Sequence, residues 1–317
     1  MKLSSHTPQL KLHHFLTMRS LKRDDILYFF DRAEYFLKTA IAKKAVLKTL
    51  AGHVIVNLFF ESSTRTRNSF SIAAYRMGAM VLSPDMRQSS TQKGELLIDT
   101  INNLAAMGAS MLIVRHSDNH LAQFLASELK SDVAVINAGD GKNEHPTQAL
   151  IDLMTIRQHF SEFSPLKVAI VGDVIHSRVA RSLVIGLRSM GVTNIRFIGP
   201  KDFMPDMSAP EFTQVQCFQD MDTGLKDADV IYMLRIQKER MAEAEYPKSA
   251  FYFKEFGLTE QRLILAKSTA IVMHPGPINR GIEIESSVAD GSQSVILQQT
   301  QNSVAMRMAV IEAVMQG

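Results

Sequence analysis

Residues 59–70, Phe59-Phe60-Glu61-Ser62-Ser63-Thr64-Arg65-Thr66-Arg67-Asn68-Ser69-Phe70, hold the densest set of groups able to do chemistry in this chain. An apolar run from His53 to Phe60 ends in hydroxyls and guanidiniums, and Phe70, Ala73, Ala74 and Met77 then recur at helical spacing. The turn therefore places Ser63, Thr64, Arg65 and Thr66 at a strand end and in the first turn of a helix. Unpaired backbone N–H groups and the helix dipole favour an anion there. Hydroxyl donors and a planar guanidinium add charge-assisted bonds suited to phosphate oxygens. The competing reading is a simple Ser/Thr cap with solvated arginines. Arginines at a helix start oppose the dipole, which favours the anion site.

Other groups stand at comparable places. Arg115-His116 ends the run Met111-Leu112-Ile113-Val114; a surface arginine is the alternative. In Gly139-Asp140-Gly141-Lys142-Asn143-Glu144-His145-Pro146-Thr147-Gln148, Pro146 suits the first helical position, with His145 as N-cap and Gln148 near N3. That arrangement presents an imidazole and a carboxamide from one helix end, suited to a polarised carbonyl; a structural histidine is the alternative. Arg178 falls at a helix start, where its charge is disfavoured without an anion. Arg235 follows the strand run Val230 to Leu234, with Gln237 beside it, while Lys238, Glu239 and Arg240 read as a solvated helix face. His274-Pro275-Gly276-Pro277 follows Thr269 to Met273 and cannot become helix. Its rigid carbonyls can accept from an amide or amine; a purely structural turn is equally open. Cations thus gather at strand ends in both halves, with no carboxylate pair and no metal set. Such a site binds anionic small molecules across an interdomain cleft and acts by orientation and oxyanion stabilisation.

The elements that position these groups alternate. Strands are expected at 53–59, 79–82, 110–114, 133–136, 167–171, 194–198, 229–233 and 269–273. Helices are expected near 21–38, 66–77, 94–106, 119–127, 146–159, 178–189, 237–244, 259–266 and 292–315. This predicts an α/β protein of two similar-sized domains, each a mainly parallel sheet flanked by helices, joined by interdomain helices. The expected division is 1–150 plus the closing helix 292–317 against 151–291, with a hinge near helix 146–159. The polar stretch 83–94 is long enough to be a functional loop. Val168 to Asp173 superficially suggests a dinucleotide fold, but no Gly-x-Gly-x-x-Gly turn follows, which disfavours a nicotinamide dehydrogenase.

Length and composition fit this reading. At 317 residues with 46% hydrophobic and 21% charged residues, the chain is an ordinary globular protein long enough for two cores. A net charge of +3 does not call for nucleic acid or a membrane surface. Cys217 stands alone, without disulfide partner or zinc-spaced cluster, and no metal or cofactor is expected. Neither a signal-peptide core nor an apolar run of about 18 residues is visible, so the default location is the cytoplasm.

The set Ser63-Thr64-Arg65-Thr66-Arg67, Lys93-Gly94-Glu95, Arg115-His116, His145-Pro146-Thr147-Gln148, Arg235-Ile236-Gln237 and His274-Pro275-Gly276-Pro277 resembles the aspartate and ornithine carbamoyltransferase family, over nearly the whole chain and in order. The His-Cys-Leu-Pro loop and Ser-Met-Gly motif typical of the ornithine branch are absent, which points to the aspartate branch. The resemblance implies transfer of the carbamoyl group from carbamoyl phosphate to L-aspartate, giving N-carbamoyl-L-aspartate and phosphate in pyrimidine biosynthesis. It implies that Ser63, Thr64, Arg65 and Thr66 hold the phosphate. Thr66, Arg115 and His145 polarise the carbamoyl oxygen, and Gln148 with the loop Pro275, Gly276 and Pro277 fixes the amide. Arg178, Arg235 and Gln237 read the aspartate carboxylates. Lys93, with Ser89 or Ser90, reaches a neighbouring subunit's site in a homotrimer; regulatory chains or a dihydroorotase-like partner are possible additions. The rival readings are a carbamoyltransferase for another amine, and a non-catalytic homologue that only binds or scaffolds.

Overall fold

A computed structural model of the chain describes residues 10–86, 94–129, 132–237 and 249–317. In chain order the elements are α1 (Arg23–Phe36), β1 (Val54–Phe59), α2 (Thr64–Arg76), β2 (Met80–Leu82), α3 (Leu97–Ala106), β3 (Ala109–His116), α4 (Leu121–Glu128), β4 (Ala134–Asp140) and α5 (Pro146–His159). There follow β5 (Lys167–Val171), α6 (Arg178–Ser189), β6 (Asn194–Ile198), β7 (Gln216–Phe218), α7 (Met221–Leu225) and β8 (Val230–Met233). The chain ends with α8 (Ser249–Phe256), α9 (Glu260–Leu263), β9 (Ile271–Met273), α10 (Ser286–Ala289) and α11 (Ile296–Met315). Two compact units result, Met1–Ile151 with Gln301–Gly317, and Asp152–Thr300.

In the first unit the strand order is β2-β1-β3-β4, all parallel. A parallel sheet is covered on both faces, so its strands read as continuous apolar runs rather than alternating ones. Val56, Leu58, Leu112, Val114 and Val135 pack with Ile101 of α3 and with Ala122 and Leu125 of α4 in one buried cluster. The C-terminal part of α11 joins this unit. Arg32 of α1 donates from Nε and Nη2 to the two carboxylate oxygens of Glu312 at 2.6 and 2.7 Å, and the Arg307 guanidinium lies 4.8 Å from the Phe70 ring centroid.

In the second unit the order is β7-β6-β5-β8-β9, again parallel throughout. Its core joins Ala169, Val171, Ile198, Ile231, Met233 and Val272 of the sheet to Met221, Leu225, Tyr252 and Phe256 of the helices. In both sheets the strand order reverses direction at one place, beside β1 and β3 in the first and beside β5 and β8 in the second. Open α/β sheets form a crevice there, beyond the carboxyl ends of the strands.

The eight strands expected from β-branched runs are present, shifted by a few residues at their ends. The reading missed β7, because Gln216-Cys217-Phe218 is a three-residue edge strand with exposed residues and no apolar run. It also missed α7, α8 and α10, of five, eight and four residues. The helix expected from 94 begins only at Leu97: the Glu95 carboxylate, one residue before the N-cap Leu96, instead accepts from Thr100 Oγ1 at 2.9 Å and Asn103 Nδ2 at 3.1 Å. Lys93, Ser89, Ser90 and the expected helix 237–244, except Gln237, lie outside the described residues.

Candidate active site

The first unit brings its predicted groups to the ends of three adjacent strands. Ser63 is the N-cap of α2, with extended backbone, and Thr64, Arg65 and Thr66 follow as the first three helical residues. The Ser63 side chain makes no capping bond to the helix. Thr66 is buried while Thr64 and Arg65 are exposed. The amides of this first turn have no partners within the helix, which makes it a seat for an anion.

Arg115 stands beside this turn because β3 pairs with β1 in register Phe59 to Arg115, and the Phe60 N–H donates to the Arg115 carbonyl at 2.9 Å. Its guanidinium is held in two ways: Nη1 donates to the Ala138 carbonyl at 3.2 Å, and Nε lies 3.5 Å from Glu61 Oε2. The side chain is aimed by strand ends on either side of it.

His145 follows β4 and precedes Pro146, and its carbonyl accepts from the amides of Gln148 and Ala149 at 3.0 and 3.3 Å. It is therefore the N-cap residue, buried at 4% exposure, with Gln148 at the third helical position and partly exposed. Two carboxylates that the sequence reading did not single out build this turn. Asp140 accepts from the amides of His120 and Glu144, at 2.7 and 3.0 Å, and from Asn137 Nδ2 and Asn143 Nδ2, at 3.0 and 2.9 Å. Glu144 accepts from Thr17 Oγ1 at 2.6 Å and the Met18 amide at 2.8 Å. Burial raises the Glu144 carboxyl above its ordinary value, with these two donors opposing the shift. An acidic residue beside a histidine, within a few residues of a strand end, was the available signal.

The second unit repeats the plan on β5, β8 and β9. Arg178 opens α6 and is buried at 3% exposure, behind the N-cap Ser177, whose hydroxyl accepts from the Ala180 amide. Arg235 and Gln237 follow β8 and are partly exposed. Asp173, after β5, joins the two segments: one oxygen accepts the Gln237 amide at 3.1 Å, and the other lies 2.8 Å from His176 Nδ1. Gln237 Nε2 donates to the His176 carbonyl at 2.9 Å, so its side-chain nitrogen is engaged within the fold. Pro275, Gly276 and Pro277 follow β9, with a cis bond between Gly276 and Pro277 and Gly276 at φ 68°. Each unit thus presents guanidinium, amide or carbonyl groups at the carboxyl ends of three neighbouring strands. That chemistry suits polyanionic substrates with an amide or amine to be fixed.

Comparison with known proteins assigns the chain to a family. Residues 13–158 match the aspartate/ornithine carbamoyltransferase carbamoyl-P binding domain, and residues 164–314 match the Asp/Orn binding domain of the same family. The chain belongs to the aspartate/ornithine carbamoyltransferase family. Within it, the aspartate carbamoyltransferase catalytic subunit of Coxiella burnetii (strain CbuK_Q154) is 54% identical over 299 residues, 94% of this chain and 95% of that protein. Aspartate transcarbamoylase from Trypanosoma cruzi, solved with N-(phosphonacetyl)-L-aspartic acid, superposes with a TM-score of 0.85 at 28% identity, covering 99% of both chains. Ornithine carbamoyltransferase from Thermus thermophilus, at 23% identity and a TM-score of 0.83 over 96% of this chain and 99% of that one, shares the fold.

Proposed function

We propose that this chain is an aspartate carbamoyltransferase, transferring the carbamoyl group of carbamoyl phosphate to L-aspartate in pyrimidine biosynthesis. The observation that carries the proposal is the 54% identity, across 94% of the chain, to a protein named as an aspartate carbamoyltransferase catalytic subunit. Residue chemistry supports it. Ser63, Thr64, Arg65 and Thr66 supply hydroxyl, amide and guanidinium donors for the phosphate. Thr66, Arg115 and His145 donate to the carbamoyl oxygen. Gln148 and the carbonyls of the 275–277 loop hold the amide, and Arg178 and Arg235 pair with the two carboxylates of aspartate. The Gln237 side-chain nitrogen is bonded to His176, so Gln237 serves by shaping the segment and through its remaining oxygen.

The neutral aspartate amine attacks the carbamoyl carbon, forming the new C–N bond. Negative charge on the oxygen meets donors already in place. The C–O bond to phosphate then breaks, and the phosphate leaves with the amine's proton. The site residues drive this by orientation and charge stabilisation. The active assembly is a homotrimer in which Lys93, with Ser89 or Ser90, completes a neighbour's site, and its location is the cytoplasm. Among the described residues no helix is long and apolar enough to cross a membrane.

The test is a carbamoylation assay on the purified chain with aspartate and ornithine side by side, run with a native mass measurement. N-carbamoyl-L-aspartate as the product, from a trimer, supports the proposal. Citrulline as the product, or phosphate-analogue binding without turnover, overturns it.

A further inference from the structure

His274 is fully buried, and its two ring nitrogens are both engaged within the second unit. Nδ1 lies 2.8 Å from the Gly276 amide nitrogen, and Nε2 lies 3.1 Å from Oε1 of Glu283, whose side chain is also fully buried. A peptide N–H can only donate, so Nδ1 is the acceptor and Nε2 carries the hydrogen that Glu283 receives. The same Glu283 oxygen accepts the Asn279 amide at 2.5 Å, and the His274 amide donates to Gln299 Oε1 at 3.0 Å. The loop is thereby tied at 274, 276 and 279.

This matters for one atom in particular. The peptide joining Pro275 to Gly276 is planar, with its C=O and N–H pointing in opposite directions. Holding the Gly276 N–H against the imidazole therefore aims the Pro275 carbonyl away from it. We propose that His274, oriented by Glu283, is a positioning residue that directs the Pro275 carbonyl at the carbamoyl amide. This rests on the assignment of that carbonyl to the amide under the proposed function. It also predicts a selectivity that general loosening of the fold would not produce. Inorganic phosphate has no N–H for a carbonyl to accept, so its binding should be indifferent to His274.

The experiment is steady-state kinetics on the full chain, with inorganic phosphate as competitive inhibitor, for wild type, His274→Ala, His274→Asn and Glu283→Gln, alongside thermal melts. A wild type that does not carbamoylate aspartate rejects the underlying function, whatever the variants do. Given an active wild type, His274→Ala should raise KM for carbamoyl phosphate about tenfold, the scale of one lost hydrogen bond, with the phosphate inhibition constant within about twofold. Asn places a carboxamide oxygen near the Nδ1 position, so His274→Asn should recover most of the loss. Equal changes in KM and in the phosphate constant, no change in either, or an Asn variant no better than Ala would each overturn the proposal. Should His274→Ala fail to fold, Glu283→Gln decides: a rise in carbamoyl phosphate KM of about threefold with unchanged phosphate inhibition upholds it, and wild-type kinetics overturn it.

Discussion

Arg115, proposed to polarise the carbamoyl oxygen, shows how a fold prepares a single side chain for such a role. A guanidinium at a strand end is unremarkable until neighbouring strands restrain it, here through the Ala138 carbonyl and the Glu61 carboxylate. Restraint matters because a donor aimed before the reaction begins needs no reorganisation as charge develops. Arg65→Ala and Arg115→Ala should each lower kcat by about two to three orders of magnitude with the melting temperature retained, read by kinetics and thermal melts together. Two buried tyrosines give a residue-scale stability test of the second unit. Tyr232 donates to Asp152 Oδ2 at 2.7 Å, and Gln299 Nε2 donates to the other oxygen at 2.8 Å. The Tyr252 hydroxyl has no hydrogen-bond partner among the described residues, and burial, then Glu283 and Asp173, push its pKa far up. Tyr232→Phe removes a buried hydrogen bond to a carboxylate and should cost about 1–3 kcal/mol in denaturant unfolding, whereas Tyr252→Phe should be neutral or stabilising by up to about 1 kcal/mol. Equal losses in the two variants would contradict this accounting.

Elements decide where such residues end up. In each unit the groups assigned to substrates follow strands that are neighbours in the sheet, although far apart in sequence. Gly172, directly after β5, shows how tightly these strand ends are fitted. Its φ is +122°, and a Cβ there would lie 2.8 Å from the Leu234 carbonyl oxygen and 3.1 Å from the Tyr252 hydroxyl. Gly172→Ala should cost about 1–3 kcal/mol from backbone strain alone. It should also displace Leu234, and with it Arg235, so KM for aspartate should rise more than KM for carbamoyl phosphate.

The sequence displayed the strands because parallel sheets bury both faces and leave uninterrupted runs such as Val168-Ala169-Ile170-Val171. It displayed the cations because charge at a strand end or helix start stands out against an apolar background. It did not display the supports. Asp140 at the end of β4, and Glu144, Asp173 and Glu283 in loops, are acidic residues like many others until the fold buries them and gives them donors. The edge strand β7 was silent for the opposite reason, since only Phe218 of Gln216-Cys217-Phe218 packs against the core.

At the scale of the whole molecule, the proposed sharing of sites has a direct test. Lys93→Ala and Arg65→Ala, each strongly impaired alone, should regain activity when dissociated and reassembled together. Random mixing into a trimer leaves some sites with both intact residues, supplied by different chains. Activity that stays at the level of the separate variants would mean that each chain works alone, and the native mass of the mixture would show that hybrids had formed.

The path of the chain carries one more implication. Asp152 and Thr300 bound the second unit, and its entry and exit helices are bonded to each other there, Gln299 to Asp152 at 2.8 Å and Gln298 to Gln158 at 2.7 Å. That unit is therefore a cassette inserted in the first, with both splice points side by side. Exchanging 152–300 as one block for the matching block of a relative that accepts a different amine should leave the turn at 63–66, proposed to hold phosphate, untouched. New acceptor specificities could then be acquired by transplantation rather than by rebuilding the enzyme residue by residue.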